Sequence, residues 1–469
     1  MNAKNILLFC IIGFVVTVLQ SCEDDNGSED FGNNQINEWI LDMMETYYLW
    51  NEKIPSETDK NLFPADYFES LIYKEEDKFS WIQENFTELM ESLVGIDTEP
   101  GYDFNLYALT DKSPRLVGGF ITYVKPNSPA AATNLRRGQY FTHINGKEVN
   151  EENYRTLLDE LNQPHKLTVV DLEKETKQDI SFQLVKYEEN PLLLDSIYNF
   201  DDRKVGYLVY NFFSDDPGDG SLKYAKQLND VFGKFKARGI NELVLDLRYN
   251  YGGSLSTATK MSSMISNCST TDVFLHLQYN RLLNQYYEQV DGSDYNKLYF
   301  VNSIESEAIN QLGLTTIYVL VTNRTASASE IVINGLKPYA TVVLVGLTTY
   351  GKPFGSVTFY EEDEEKQQYN KWGMQPIVVR FTNSLNNADY LDGFQPDVES
   401  NEVDDVPFKQ LGDINEKMLR DALIKMGINK SWFSESTLRS GKSAFGKPIW
   451  SSADRKPVRR NTYINDIKL

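Results

Sequence analysis

The sequence predicts a multidomain α+β chain with a helical start, a β-rich middle and an α/β core. Three observations lead there. At 469 residues the chain is too long for one hydrophobic core of ordinary size. Its apolar residues recur at helical spacing up to about residue 94, then take on strand texture near Gly101. From Lys204 onward, continuous apolar runs alternate with amphipathic helical stretches, which is the pattern of a largely covered sheet.

The chain begins with an export signal over residues 1–21. Lys4 gives a positive start, residues 6–19 are nearly all apolar, and "LQSC" ends at Cys22. The run is short for a spanning helix and is followed at once by Glu23, Asp24 and Asp25. "LQSC" resembles the lipobox of bacterial lipoproteins. That resemblance implies a lipid on Cys22, a membrane anchor, and an outer-membrane lipoprotein of a Gram-negative cell envelope, facing the periplasm or the outside. Residues 22–34 are polar and contain glycine, so they read as a tether. Cys10 leaves with the signal, and Cys268 then stands without a disulfide partner in the apolar stretch "KMSSMISNCST", where a packed core residue is expected.

Residues 35–98 form the helical start, with Ile36, Trp39, Ile40, Met43, Met44 and Tyr47 on one stripe. "FPADYFESLIY" and "FSWIQENFTELMESLV" continue in the same style. Residues 99–190 carry the strand "GGFITYVKP", a hairpin "YFTHINGKEV" with Asn145-Gly146 at its tip, the helix "YRTLLDELN", and the strands "HKLTVVDLE" and "DISFQLVKY". This unit resembles a PDZ domain on "SPAAATNLRRGQYFTHINGKEV". The resemblance implies that it binds an extended peptide as an added strand, with a C-terminal carboxylate docked near Tyr102, Asp103 and Phe104. Residues 191–430 form the α/β core. Its strands are "KVGYLVYNFF", "NELVLDLRYNYGG", "TTIYVLVTN" and "TVVLVGLTT", and its first helix is closed by Gly239. Residues 431–469 are a C-terminal extension.

Charge and composition exclude some functions. A net charge of -22 argues against a nucleic-acid partner, because phosphate binding needs clustered cations. With 3 His, a metal site built on imidazoles is not expected, and no cofactor is implied. The run "EEDEEKQQ" reads as a solvated hairpin tip, and the basic tail near Lys456 as a solvated end.

The chemistry is sought in "VTNRTASASEIVINGLKPYATVVLVGLTTYGKPFG" (residues 321–355). A strand feeds a tight turn, and a helix begins near Ser327 or Ser329. Ser327 and Glu330 fit a capping box, which needs no catalysis. A serine at such a turn also lies beside helix amides able to receive an oxyanion. Its hydroxyl is a poor nucleophile until a base takes the proton. His143, His165 and His276 all lie away from this turn in the sequence. A lysine can serve once burial lowers its pKa, and Lys352 follows an apolar strand.

"TASASEIV" together with "TTYGKP" resembles the carboxy-terminal processing (tail-specific) serine peptidases. The family's nucleophile corresponds to Ser327 and its base to Lys352, and Ser329 is then a capping or supporting residue. "LVLDLRYNYGG" resembles the family's glycine turn, which implies an oxyanion hole from the Ala328 amide and that of Gly252 or Gly253. The resemblance implies a core of the ClpP/crotonase-like type and cleavage of exported or unfolded proteins and peptides, with the PDZ-like unit presenting their C-termini. Where the family commonly has a glutamine that orients the lysine, this chain has Ser356. An inactive scaffold that binds peptides through the PDZ-like unit is the alternative.

Overall fold

The computed structural model describes residues 32–109, 113–435 and 448–455, and the backbone of 462–463. The apolar leader, Cys22 and the basic tail lie outside the described residues.

Helices Asn33–Tyr47 and Pro64–Leu71 open the fold, and Phe86–Leu93 follows. Ile36, Ile40 and Met44 recur every four residues and are buried, as the stripe requires. They do not build a core of their own. With Tyr48, Tyr67 and Phe68 they join one cluster that contains Leu208, Leu245, Val319 and Ile331 of the α/β core. The helical start is therefore packed against the core as one of its walls. Residues 81–83, expected as helix, form a strand paired antiparallel to Gly373–Gln375. The cross-chain ladder satisfies their backbone groups, and the helix restarts only where Asn85 caps the amides of Thr87 and Glu88.

The middle unit is a seven-stranded antiparallel sheet. Tyr102–Ala108 pairs with Val117–Val124, and Tyr140–Ile144 and His165–Asp171 continue the sheet. Asn145 and Gly146 both take positive φ (49° and 79°), as a two-residue hairpin turn demands. Phe104, Ile121, Phe141, Leu157 and Leu167 fill this unit's own core. A segment the sequence left as mere extension enters it. Trp450–Ser451 pairs with Leu106 and Asn105 at the sheet's edge.

The α/β core is a six-stranded sheet, ordered Leu192–Phe200, Arg203–Tyr210, Glu242–Asp246, Thr316–Val321, Thr341–Gly346, Val398–Glu399. The first pair is antiparallel and the rest are parallel. The central strands Glu242–Asp246 and Thr316–Val321 are largely apolar and buried because both faces are covered. Ile317, Val319 and Val321 face helices Lys223–Arg238, Leu255–Ile265 and Ala328–Leu336, while Tyr318 and Leu320 face helix Lys417–Met426. A five-stranded sheet containing Phe354–Ser356 and Ile377–Asn383 packs beside it.

The middle unit is fastened to the core by a buried ion cluster. Arg137 bonds Glu402 at 2.9 Å, Glu416 at 3.3 Å and the carbonyl of Lys409 at 2.8 Å. Arg248, fully buried, pairs with Asp246 and with Glu416. No helix among the described residues is long and apolar enough to cross a membrane.

Candidate active site

Glu242–Asp246, Thr316–Val321 and Thr341–Gly346 are adjacent and parallel, so their C-terminal ends open on one edge of the sheet. The loops leaving those ends carry the glycine turn, Ser327 and Lys352 respectively. Open α/β sheets place ligands at such edges. Parallel topology thus gathers three motifs that are far apart in sequence.

Ser327 takes φ 59° and ψ −116°, a strained conformation for a residue with a Cβ. Several bonds impose it. Thr325 donates its hydroxyl to the Leu247 carbonyl at 2.8 Å and accepts the Thr322 amide at 2.9 Å. The Asn250 carbonyl takes the Ala326 amide at 3.2 Å and the Ser329 hydroxyl at 3.1 Å. Ser329 therefore ties the helix to the glycine turn and does not cap. Ser327 itself is the N-cap of Ala328–Leu336, and the capping box with Glu330 forms. The capping reading and the strained-turn reading are both true of the same residue. Gly252, at φ 114°, lies directly against the turn, and a Cβ there would sit 2.8 Å from the Ser327 Cβ.

Glu330 does more than close the cap. Its Oε2 accepts the amides of Ser327 at 2.9 Å and Lys352 at 2.8 Å. The two backbone nitrogens can be no further apart than the sum of those lengths. Its Oε1 accepts the Gly351 amide at 2.7 Å and the Thr349 hydroxyl at 2.6 Å. The carboxylate is fully buried, and that burial raises its pKa against the four donors that lower it. Sequence reasoning saw Glu330 only as a cap partner. Its bridge to residues 349–352 left no local signal, because it exists only once the strands are side by side. Gly351, at φ 91°, lets the loop turn there, since a Cβ would meet the Leu391 carbonyl at 2.2 Å.

Lys352 is fully buried. Burial lowers its pKa to about 7, against the opposing pull of Asp77 and Glu330. The helical start supplies part of the enclosure. The amine lies 5.0 Å from the Phe79 ring centroid, and Phe79 packs on Tyr350 and Phe354. Asp77 accepts the amides of Phe79 and Ser80 and the Tyr48 hydroxyl, which holds residues 77–80 in place. Phe79 and Asp77 were not singled out in the sequence, where they look like ordinary residues of a helical stretch.

The remaining predicted residues fall as follows. The Gly252 amide is donated to the Asn250 side chain at 2.9 Å, while no hydrogen-bond acceptor takes the Gly253 amide among the described residues. Ser356 is fully buried and donates to Gln375 at 3.4 Å. Gln375 in turn bonds Thr358 and accepts from the Trp81 indole. Tyr102 and Phe104 are core residues whose side chains point inward, the former bonded to His165 at 2.6 Å. The Phe104 ring also packs on Trp450, and the strand's backbone edge pairs with Trp450–Ser451. Asp103 instead meets Lys125 and Ser452. His165 is engaged by Tyr102, His143 by Thr142 and His276 by Asn386. Cys268 is buried and its thiol pKa is raised by that burial, as a packed residue requires. Among the described residues there is no cluster fit to hold a metal.

Comparison with known proteins places the chain in a family. The profile of Peptidase family S41 matches residues 204–400, and that of the Peptidase S41 N-terminal domain matches residues 35–81. The chain belongs to peptidase family S41. A Staphylococcus aureus protein described as a CtpA-like serine protease is 26% identical over 262 residues, covering 54% of this chain and 46% of the relative. One from Staphylococcus epidermidis is 27% identical over 190 residues, or 40% and 34% of the two chains. The chain thus spans less than half the length of these curated relatives. A crystal structure of a Bacteroides fragilis protein described as an S41 protease superposes with a TM-score of 0.67 at 28% identity, covering 83% of this chain and 97% of that one. The S41 profiles leave the middle sheet unmatched, and they bracket the two parts that meet at Lys352: the helical start carrying Phe79 and the core carrying Ser327.

Proposed function

We propose that this S41 chain is a serine endopeptidase in which Ser327 is the nucleophile and Lys352 the base. One observation carries the reading: a fully buried lysine with its pKa drawn to about 7 has its backbone amide on the same Glu330 oxygen as the amide of the strained serine. A lysine of that pKa is substantially neutral at physiological pH and able to accept a proton. The neutral Nζ takes the Ser327 hydroxyl proton as Oγ bonds to the scissile carbonyl carbon. The oxyanion is received by the amides of Ala328 and Gly253, the second chosen because the Gly252 amide is already spent on Asn250. The ammonium of Lys352 gives its proton to the departing amine as the C–N bond breaks. Lys352 then deprotonates a water, which attacks the acyl-enzyme and frees Ser327. The engagement of each histidine elsewhere supports lysine over histidine as base.

Incubation with an unfolded polypeptide tests this. Wild type produces fragments, while Ser327→Ala and Lys352→Ala each lose about 10³-fold or more in kcat/KM. Equal fragmentation by Ser327→Ala would sink the reading. The middle unit, PDZ-like in its motif, presents substrate by strand addition. The lipobox supports anchoring through Cys22 at the outer membrane of a Gram-negative envelope. Incorporation of a labelled fatty acid, abolished in Cys22→Ser, checks that.

A further inference from the structure

The exposed edge of the strand Tyr102–Ala108 is already occupied, and the occupant belongs to the same chain. Trp450–Ser451 pairs antiparallel with Leu106 and Asn105, and the Ile449 amide donates to the Leu106 carbonyl at 2.8 Å. The Phe104 amide donates to the Ser452 hydroxyl at 3.0 Å, and that hydroxyl donates to Asp103 at 2.5 Å. The Trp450 ring packs on Phe104, with centroids 5.6 Å apart. This is the geometry of a peptide added to a sheet edge, with alternate side chains read by pockets.

The same segment also reaches the catalytic cleft. A cavity of about 310 Å³ is lined by Ala326 and Tyr350, each within two residues of Ser327 or Lys352. Pro448, Ile449 and Trp450 line the same cavity. Asp454, which caps the Ser451 amide, is among the charges acting on Arg324 in the turn before the serine. One short segment therefore bridges the strand edge and the site.

The far end of the edge is a second hollow of about 260 Å³, lined by Asp97, Glu99 and Asp103, with Ser452 at its margin. The Lys125 ammonium is shared there among Glu99 at 2.6 Å, Glu189 at 2.7 Å and Asp103 at 3.5 Å. Carboxylates outnumber cations, so a terminal carboxylate brought to this point meets repulsion. The occupant fits that environment. It is internal to the chain and offers a hydroxyl, not a carboxylate, to Asp103.

We propose that the Tyr102–Ala108 edge and the cleft at Ala326 and Tyr350 form one track for an extended, non-terminal polypeptide segment, and that residues 448–452 fill this track in cis and occlude the site. The proposal rests on the peptidase reading for its consequence, but not for its geometry. The partner it fits has an aromatic residue at the Trp450 position. Two places on, it has a hydroxyl or basic side chain facing the acids. This replaces the free C-terminus expected from the motif.

The probe is a fluorescent peptide of residues 448–455, blocked at both ends, titrated into the full chain carrying Ser327→Ala. Adding Ser452→Glu, which sets a carboxylate against Asp103, should release the segment and tighten peptide binding about tenfold or more. Trp450→Ala should do the same by removing the packing on Phe104. A probe ending in a free carboxylate at the Ser452 position should bind more weakly than the blocked one. With Ser327 restored, Ser452→Glu should raise kcat/KM several-fold, mainly through KM. Equal peptide affinity with and without the substitutions, in proteins of unchanged melting temperature, overturns the proposal. So does tighter binding of the free-carboxylate probe. Expected peptide binding without cleavage by any form carrying Ser327 would uphold the track and defeat the catalytic reading.

Discussion

The proposed role of Lys352 as base depends on where its amine is kept. Transfer of an ammonium from water into a buried site is costly, so the neutral form gains ground and the pKa falls to about 7. The activity should therefore rise with pH through about 7 as kcat/KM is followed across a buffer series. Phe79 forms one side of the enclosure. Phe79→Ala admits water, restores the ammonium, and should move that limb to higher pH, with activity largely recovered by about pH 9. A purely structural role for Phe79 would lower activity without moving the limb. The same shift bears on stability. The unfolded chain holds the Lys352 proton up to its ordinary pKa of 10.5, while the folded chain releases it near 7. Between those values the unfolded state binds more protons, so folding gains stability as pH rises, by up to about 1.4 kcal/mol per unit. Lys352→Met removes this dependence. Its stability advantage over wild type should be largest at and below pH 7 and shrink toward pH 10, as denaturant titrations at each pH will show.

At the scale of elements, the site depends on turns whose backbone permits only certain residues. Gly252 lies against Ser327, at a φ that side chains rarely adopt. Gly252→Ala should leave the sheet intact yet push the Ser327 turn away from the amides proposed to receive the oxyanion. A fall in kcat of about 10²-fold or more is expected, with a stability loss of about 1–3 kcal/mol, read by steady-state kinetics and thermal unfolding. Most of these elements were legible in the sequence. Helix Lys223–Arg238 closes at Gly239 as its pattern implied, and Asn145-Gly146 makes the expected hairpin. What was misread follows one physical rule. Residues 81–83 form a strand because Gly373–Gln375 offers them a ladder, and Trp450–Ser451 because Tyr102–Ala108 offers an open edge. Local periodicity carries no record of a partner hundreds of residues away.

Across the whole molecule, the middle unit and the core share buried charge. Burial alone would raise the pKa of Glu416, but the guanidiniums of Arg248 and Arg137 outweigh it and hold the carboxyl at about 2. Its folded pKa lies below the unfolded one, so the stability it contributes is present above about pH 4.5. It is lost as pH falls toward 2. Arg137→Ala leaves Glu402 and Glu416 buried with less countercharge. A destabilisation of about 3–5 kcal/mol is expected, with weaker attachment of the middle unit, measurable by denaturant unfolding and by protease sensitivity between the units.

The sequence by itself determined which chemistry was available: a serine in a Thr-Ala-Ser-Ala-Ser-Glu turn, a lysine after an apolar strand, and a glycine turn, each set by local backbone demands. It also determined the alternating strands and helices that make a parallel sheet. Only the tertiary structure decided what those residues can do together. It brought the three loops to one sheet edge and set Ser327 and Lys352 on a single oxygen of Glu330. It drew Phe79 over the amine from the other end of the chain, and laid residues 448–452 along the strand beside the cleft. Hydrogen bonding and desolvation act through space, and the distances they depend on exist only after the chain has folded.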